Sequence, residues 1–225
     1  MHIRHQVKCY NKSGVVCRHS ERGLIMEKDA VKIALKQAIY QRRSTRAYTA
    51  QPVPDELIEE ILDAGRHAPT GMNRQKTHFF VITNAEKLAE LKSIIAAILA
   101  DMTVKEEMPP TLKSMIERAK KGALDVTHGA PVLIVTAGVK GAQNTIADCT
   151  CALQNMMLTA AACGLGACWV NQFFAFRDAP TVKEFFAGIG VAEDEEICGS
   201  VVVGYAENLQ NEPLPRTGYP VTYIR

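Results

Sequence analysis

Residues 142–166, AQNTIADCTCALQNMMLTAAACGLG, constrain the fold more than any other stretch of this chain. Apolar residues recur there at helical spacing on most sides, and Gly164 supplies a stop. The pattern predicts a helix over 142–164, roughly 35 Å long at 1.5 Å per residue. Polar Asp148, Gln154 and Asn155 interrupt it, so it belongs in the middle of a globular domain or across a subunit interface, and no membrane span is expected.

What surrounds such a helix must be sheet and further helices. THFFVIT (77–83), PVLIVTAG (131–138), GACWVN (166–171) and EICGSVVVGYAE (196–207) read as strands. Helical periodicity covers 27–41, with Val31, Leu35, Ala38 and Ile39, and again 51–68, with Leu57, Ile58, Ile61 and Leu62, Pro54 standing in the first turn. A third helix follows Asn84 as its cap, and DAPTVKEFFAGI gives a fourth. Residues 101–129, broken by Pro109 and Pro110, read as a variable excursion with one short helix, the expected lid over a site. At 225 residues and 47% hydrophobic, the chain suits one sizeable core, taken here as residues 27–225, preceded by an extension of unknown role over 1–26.

The formal charge is +2, which gives no reason to expect nucleic acid or an anionic membrane as a partner. Seven cysteines, an odd number lying mostly in apolar runs, fit buried hydrophobes in a reducing, cytoplasmic setting. Neither Cys149-x-Cys151 nor the Cys9 and Cys17 pair has the spacing of a metal site, so no metal is expected. No glycine-rich dinucleotide fingerprint follows any strand. The histidines at 2, 5, 19, 67, 78 and 128 are scattered and read as surface or structural, leaving no nucleophilic triad.

Against this neutral background QRRSTRAY (41–48) places Arg42, Arg43 and Arg46 around Ser44 at the end of a predicted helix. A helix C-terminus favours cations modestly, which accounts for one arginine better than for three. Guanidinium forks beside a hydroxyl are the groups that hold a phosphate where no helix N-terminus is free to do so. A second polar segment, APTGMNRQ (68–75), precedes a strand; Thr70, Asn73 and Gln75 offer hydrogen bonds and Gly71 permits close backbone approach.

Together these two segments resemble the signature of the FMN-dependent nitroreductase family, a basic-basic-Ser-x-basic turn followed by a Pro-Ser/Thr-x-x-Asn-x-Gln loop. The resemblance continues through ADCTCALQNMMLTAAACGLGACWVNQF and the final VVVGY and LPR segments, across residues 28–225. It implies an α+β fold, a mixed sheet wrapped by helices, and an intertwined homodimer with shared flavin sites. It also implies FMN as cofactor, NADH or NADPH as donor and a small-molecule acceptor, nitroaromatic or quinone. By the same resemblance Arg42, Arg43, Ser44 and Arg216 would hold the phosphate and ribityl chain, and Arg46 the pyrimidine edge. Pro69, Thr70, Gly71, Asn73 and Gln75 would reach the flavin held mainly by the other subunit, and Trp169, Val170, Asn171 and Gln172 would pass near N5 with their backbone amides. Lys76 stands where many relatives have proline, and Asn171 where some have an acid. The competing readings are a specialised flavin enzyme of the same fold, such as a dehydrogenase or reductive dehalogenase, a non-enzymatic anion-binding module, and a thiol redox protein using Cys149 and Cys151.

Overall fold

The computed structural model describes residues 21–208 and 212–225, with side chains from residue 28 onward. The chain divides into two compact units, residues 1–40 and residues 41–225. Most of helix α1 (Glu21–Gln41) lies in the first. It begins six residues before the predicted start, so the expected boundary at residue 26 falls inside it; Cys9, Cys17 and the rest of the extension before Glu21 lie outside the described residues.

In the second unit a four-stranded sheet, order β1-β2-β4-β3, is built from β1 (His78–Ile82), β2 (Val132–Val139), β3 (Gly166–Trp169) and β4 (Glu195–Gly204). All three pairings are antiparallel, and a parallel bridge joins Ser44 to Ala167 beside β3. Alternation along β2 feeds two cores. Val132 and Ile134 face α2 (Asp55–Arg66) and α5 (Thr145–Ala162), packing with Ile61, Leu153, Met156, Val201 and Val203. Leu133 and Val135 face the opposite core, with Leu91 and Ile95 of α3 (Ala85–Asp101), Ile116 of α4 (Pro110–Lys120), Phe173 of α6 (Gln172–Ala175) and Val182 of α7 (Pro180–Gly188). Each such side chain taken fully out of water contributes about 1.5–3 kcal/mol, which is why the strand PVLIVTAG is apolar throughout.

Helix α5 is central, as expected, but shorter. Residues 142–144 belong to the turn after β2, where Ala142 N–H donates to the Val139 carbonyl, and the helix starts at Thr145. One face is buried, through Cys149, Ala152, Leu153, Met156, Met157 and Ala160, while Cys151 and Gln154 are exposed. Its end is set by Gly164 at φ 73°: Gly164 N–H donates to Ala161 O and Leu165 N–H to Ala160 O, a Schellman stop. Gly65 of α2 faces the Met156 side chain of α5, and a Cβ there would make the methionine end shift.

The 101–129 segment is better packed than a variable excursion suggests: Ile116 is fully buried and Ala119 and Val126 join the same core. The cap at Asn84 is present, its Oδ1 accepting from Lys87 N–H at 2.9 Å. Asn84→Ala should therefore cost about 1 kcal/mol in urea unfolding, and an unchanged midpoint would contradict the capping role. Among the described residues no helix is long and apolar enough to cross a membrane.

Candidate functional site

The arginine segment is held as an extra edge of the sheet. Thr45 N–H donates to Ala167 O (3.0 Å), Thr49 N–H to Tyr205 O (2.8 Å) and Glu207 N–H to Ala47 O (3.1 Å), and the Tyr48 hydroxyl closes back on Thr45 O (2.9 Å). Residues 44–49 are thus laced to β3 and to the chain leaving β4. Gly166 permits the approach, since a Cβ there would lie 2.6 Å from Thr45 Oγ1.

That scaffold gathers like charges. Burial first, then the like charges of Arg216 and Arg43, hold the Arg42 guanidinium below its ordinary value. Arg43 Nε is buried and has no hydrogen-bond partner among the described residues. Ion pairs among those residues involve neither Arg42, Arg43, Arg46 nor Arg216. A buried guanidinium N–H left unpaired costs free energy, and same-sign charges repel; a phosphate satisfies both. Ser44 and Arg46 are exposed beside this cluster, and the Arg46 charge opposes the burial that pushes the Cys168 thiol up.

The 68–75 loop is equally specific in shape. A 3-10 turn spans Gly71–Asn73, and Met72, Asn73 and Gln75 all adopt positive φ of 51–54°, a conformation that costs a non-glycine residue on the order of 1 kcal/mol. Gln75 N–H donates to Thr70 Oγ1 (3.0 Å) and Gln75 Nε2 to Asn73 Oδ1 (3.1 Å), while Pro69 is exposed. The whole loop hangs on Asp148 in the first turn of α5, which accepts from Gly71 N–H at 3.0 and 3.3 Å. A Cβ on Gly71 would strike Asn144.

At the end of β3, Trp169 is half-buried against Gly199 and Val170 is buried. The Val170 amide is committed to Ser200 O at 3.0 Å, so the expectation of a useful free amide does not hold at that position. Asn171 is exposed and Gln172 opens α6, its Nε2 donating to Met115 Sδ at 3.6 Å. The 44–46 segment and β3 therefore share one region, whereas the 70–75 loop does not join them. The loop is bonded to Asp148 in the first turn of α5 and Thr45 packs on Gly166 just after its end, so most of the 18-residue helix, roughly 20 Å, lies in between.

Residues 39–205 match the model of the nitroreductase family. The chain belongs to that family. A nitroreductase of Bacteroides fragilis, solved with bound FMN, is 30% identical with a TM-score of 0.74, covering 85% of this chain and 98% of that one. A Desulfitobacterium hafniense nitroreductase, also with bound FMN, is 27% identical with a TM-score of 0.73 and the same coverage. A Methanothermobacter thermautotrophicus protein, provisionally named as an NADH dehydrogenase/NAD(P)H nitroreductase, is 31% identical over 146 residues, which are 63% of each chain.

Two residues of this nitroreductase-family chain escaped the sequence reading. Asp148 reads in the sequence only as a polar interruption; a lone acid in the first turn of an apolar helix is itself a sign of a donor to be met. His128, read as scattered, sits close to Arg46 at positive φ, and burial, then the Arg46 charge, lowers its pKa below the ordinary histidine value. Nothing in its sequence neighbourhood points to that contact.

Proposed function

We propose that this chain is an FMN-dependent oxidoreductase that takes electrons from NADH or NADPH and delivers them, by a ping-pong sequence, to nitroaromatic, quinone or similar electron-poor acceptors. The observation that carries this reading is the Arg42, Arg43 and Arg216 cluster with its unpaired buried Nε. A phosphomonoester supplies the charge and the acceptors that cluster lacks. FMN-bound relatives with TM-scores above 0.7 support the same cofactor.

FMN, when bound, supplies a two-electron carrier that the side chains lack. Arg42, Arg43, Ser44 and Arg216 hold its phosphate and ribityl chain. Arg46 places fixed positive charge toward the pyrimidine edge, where negative charge grows on reduction. Trp169, Val170, Asn171 and Gln172 line the middle of the site, with contacts other than the Val170 amide. The segment 101–129 stands by the acceptor side, a reading supported by the Gln172 amide on Met115 Sδ and by the Arg46 charge felt at His128.

The separation of the two clusters along α5 favours a homodimer in which Pro69, Thr70, Gly71, Asn73 and Gln75 of one copy complete the site begun by the arginines of the other. The flavin domain is the unit of residues 41–225, not the whole of 27–225, and the protein works in the cytoplasm without metal, nucleic acid or membrane.

The visible spectrum of the purified protein tests the proposal. Flavin bands that bleach on anaerobic addition of NADH or NADPH, with FMN identified after release, are expected. A colourless protein that takes up no added FMN overturns it.

A further inference from the structure

Beneath α5 the buried Cys149, Cys198 and Thr136 gather with the half-buried Thr77. β2 and β4 pair Thr136 with Gly199 and then Ala137 with Ile197, so Cys198 is an extra residue of β4 with no partner across the ladder. A bulge of this kind re-aims side chains. Val201 and Val203 pack on the α5 side, and Gly199 lies under Leu153 of that helix. Strict alternation would put Ile197 there too, yet it packs in the opposite core with Val202. The shift of phase leaves Cys198 on the α5 side.

Cys149 comes down from α5 at that point. It is fully buried, and its thiol lies 3.7 Å from Ala137 O and 3.9 Å from Thr77 Oγ1. Ala137 pairs with Ile197, the residue before Cys198, so the contact with Ala137 O brings the Cys149 thiol to the bulge, where the Cys198 thiol lies 3.3 Å from Glu196 O. The neighbouring Cys198 first, with the Thr77 and Thr136 hydroxyls, lowers the Cys149 pKa against the opposing effect of burial, while Cys149 and burial push Cys198 up. Cys149 is therefore the better nucleophile of the two. A cavity of about 200 Å³, lined by Gly71, Thr77, Gly138, Asp148 and Cys149, leads to it; a water's share of liquid volume is about 30 Å³, so a small peroxide has room.

We propose that Cys149 and Cys198 are a redox-active dithiol that hydrogen peroxide oxidises to a disulfide joining α5 to β4. The Cys149 thiolate attacks one peroxide oxygen, the O–O bond breaks, and the leaving hydroxide takes a proton to become water, giving a sulfenic acid. The Cys198 sulfur then attacks the Cys149 sulfur; the S–S bond forms, the S–O bond breaks, and a second water leaves with the Cys198 proton. Two thiols lose two electrons and two protons in all, and one peroxide becomes two waters. The chemistry needs no flavin and stands apart from the cofactor reading.

Graded hydrogen peroxide on the full-length protein, followed by alkylation, digestion and mass-spectrometric mapping, tests it. The expected product is a Cys149–Cys198 link that dithiothreitol reverses and that Cys151→Ser leaves intact. In Cys198→Ser, dimedone should instead trap a sulfenic acid at Cys149. A wild-type map in which exposed Cys151 is oxidised while Cys149 and Cys198 remain alkylated as free thiols, or in which Cys198 is linked to another cysteine, overturns the proposal without any variant having to fold.

Discussion

Arg42→Ala should weaken FMN binding about 10- to 100-fold, the equivalent of one charge-assisted contact of about 1.5–3 kcal/mol, and should do so without destabilising the apoprotein by more than about 1 kcal/mol. The two halves of that expectation have one cause. Arg42 is half-buried and its guanidinium is held below its ordinary value by burial and by Arg216 and Arg43. Without an anion the charge is a cost that the fold carries, and removing it relieves repulsion on its neighbours; with a phosphate bound, the same charge is a partner. Titration of the apoprotein with FMN, read by quenching of flavin fluorescence, gives the affinity, and thermal unfolding with and without FMN gives the stability. Undiminished affinity would remove Arg42 from the phosphate site, whereas a large loss of apo stability would mean that the side chain serves packing.

Much of this arrangement is legible in the chain because its causes are local. Asn84 caps α3 through its own side chain, Gly164 ends α5 through its own positive φ, and the apolar run 131–138 follows from a strand covered on both faces. The arginine cluster is legible for a different reason: three cations around one serine stand out in a nearly neutral chain, and a helix C-terminus accounts for one of them. Features that depend on distant segments were not. Helix α6 is four residues long, too short for periodicity to register. The start of α5 is delayed because Ala142 and Thr145 bond back to Val139, a contact that composition does not reveal. The bulge at Cys198 leaves an ICG stretch that reads like any buried strand, so its meeting with Cys149 is invisible until the register is known. Helical spacing already argues against a Cys149–Cys151 pair, which would face different directions, but nothing in the sequence points to Cys198, 49 positions away.

Gly166→Ala should destabilise the protein by about 1–3 kcal/mol and weaken FMN binding as well, although alanine can adopt that backbone conformation. The new Cβ would lie 2.6 Å from Thr45 Oγ1, 2.7 Å from its Cγ2 and 2.8 Å from its Cβ. A flexible side chain could swing aside, but Thr45 is branched at Cβ and its backbone is tied at both polar groups, N–H to Ala167 O and C=O to the Tyr48 hydroxyl. The strain must therefore be released by moving the 44–49 segment off β3, and the arginines on either side of Thr45 move with it. Thr45→Ala in the same protein removes the two nearest atoms and leaves the Cβ contact, so rescue should be partial. Gly188→Ala provides the opposite control: it ends α7 with nothing within 4 Å of an added Cβ, and should gain a few tenths to about 1 kcal/mol from helix propensity. Chemical denaturation and FMN titration of the four proteins separate the effects. If Gly166→Ala kept full stability and full affinity while Gly188→Ala behaved as expected, the close seam between Thr45 and Gly166 could not be what positions the arginines.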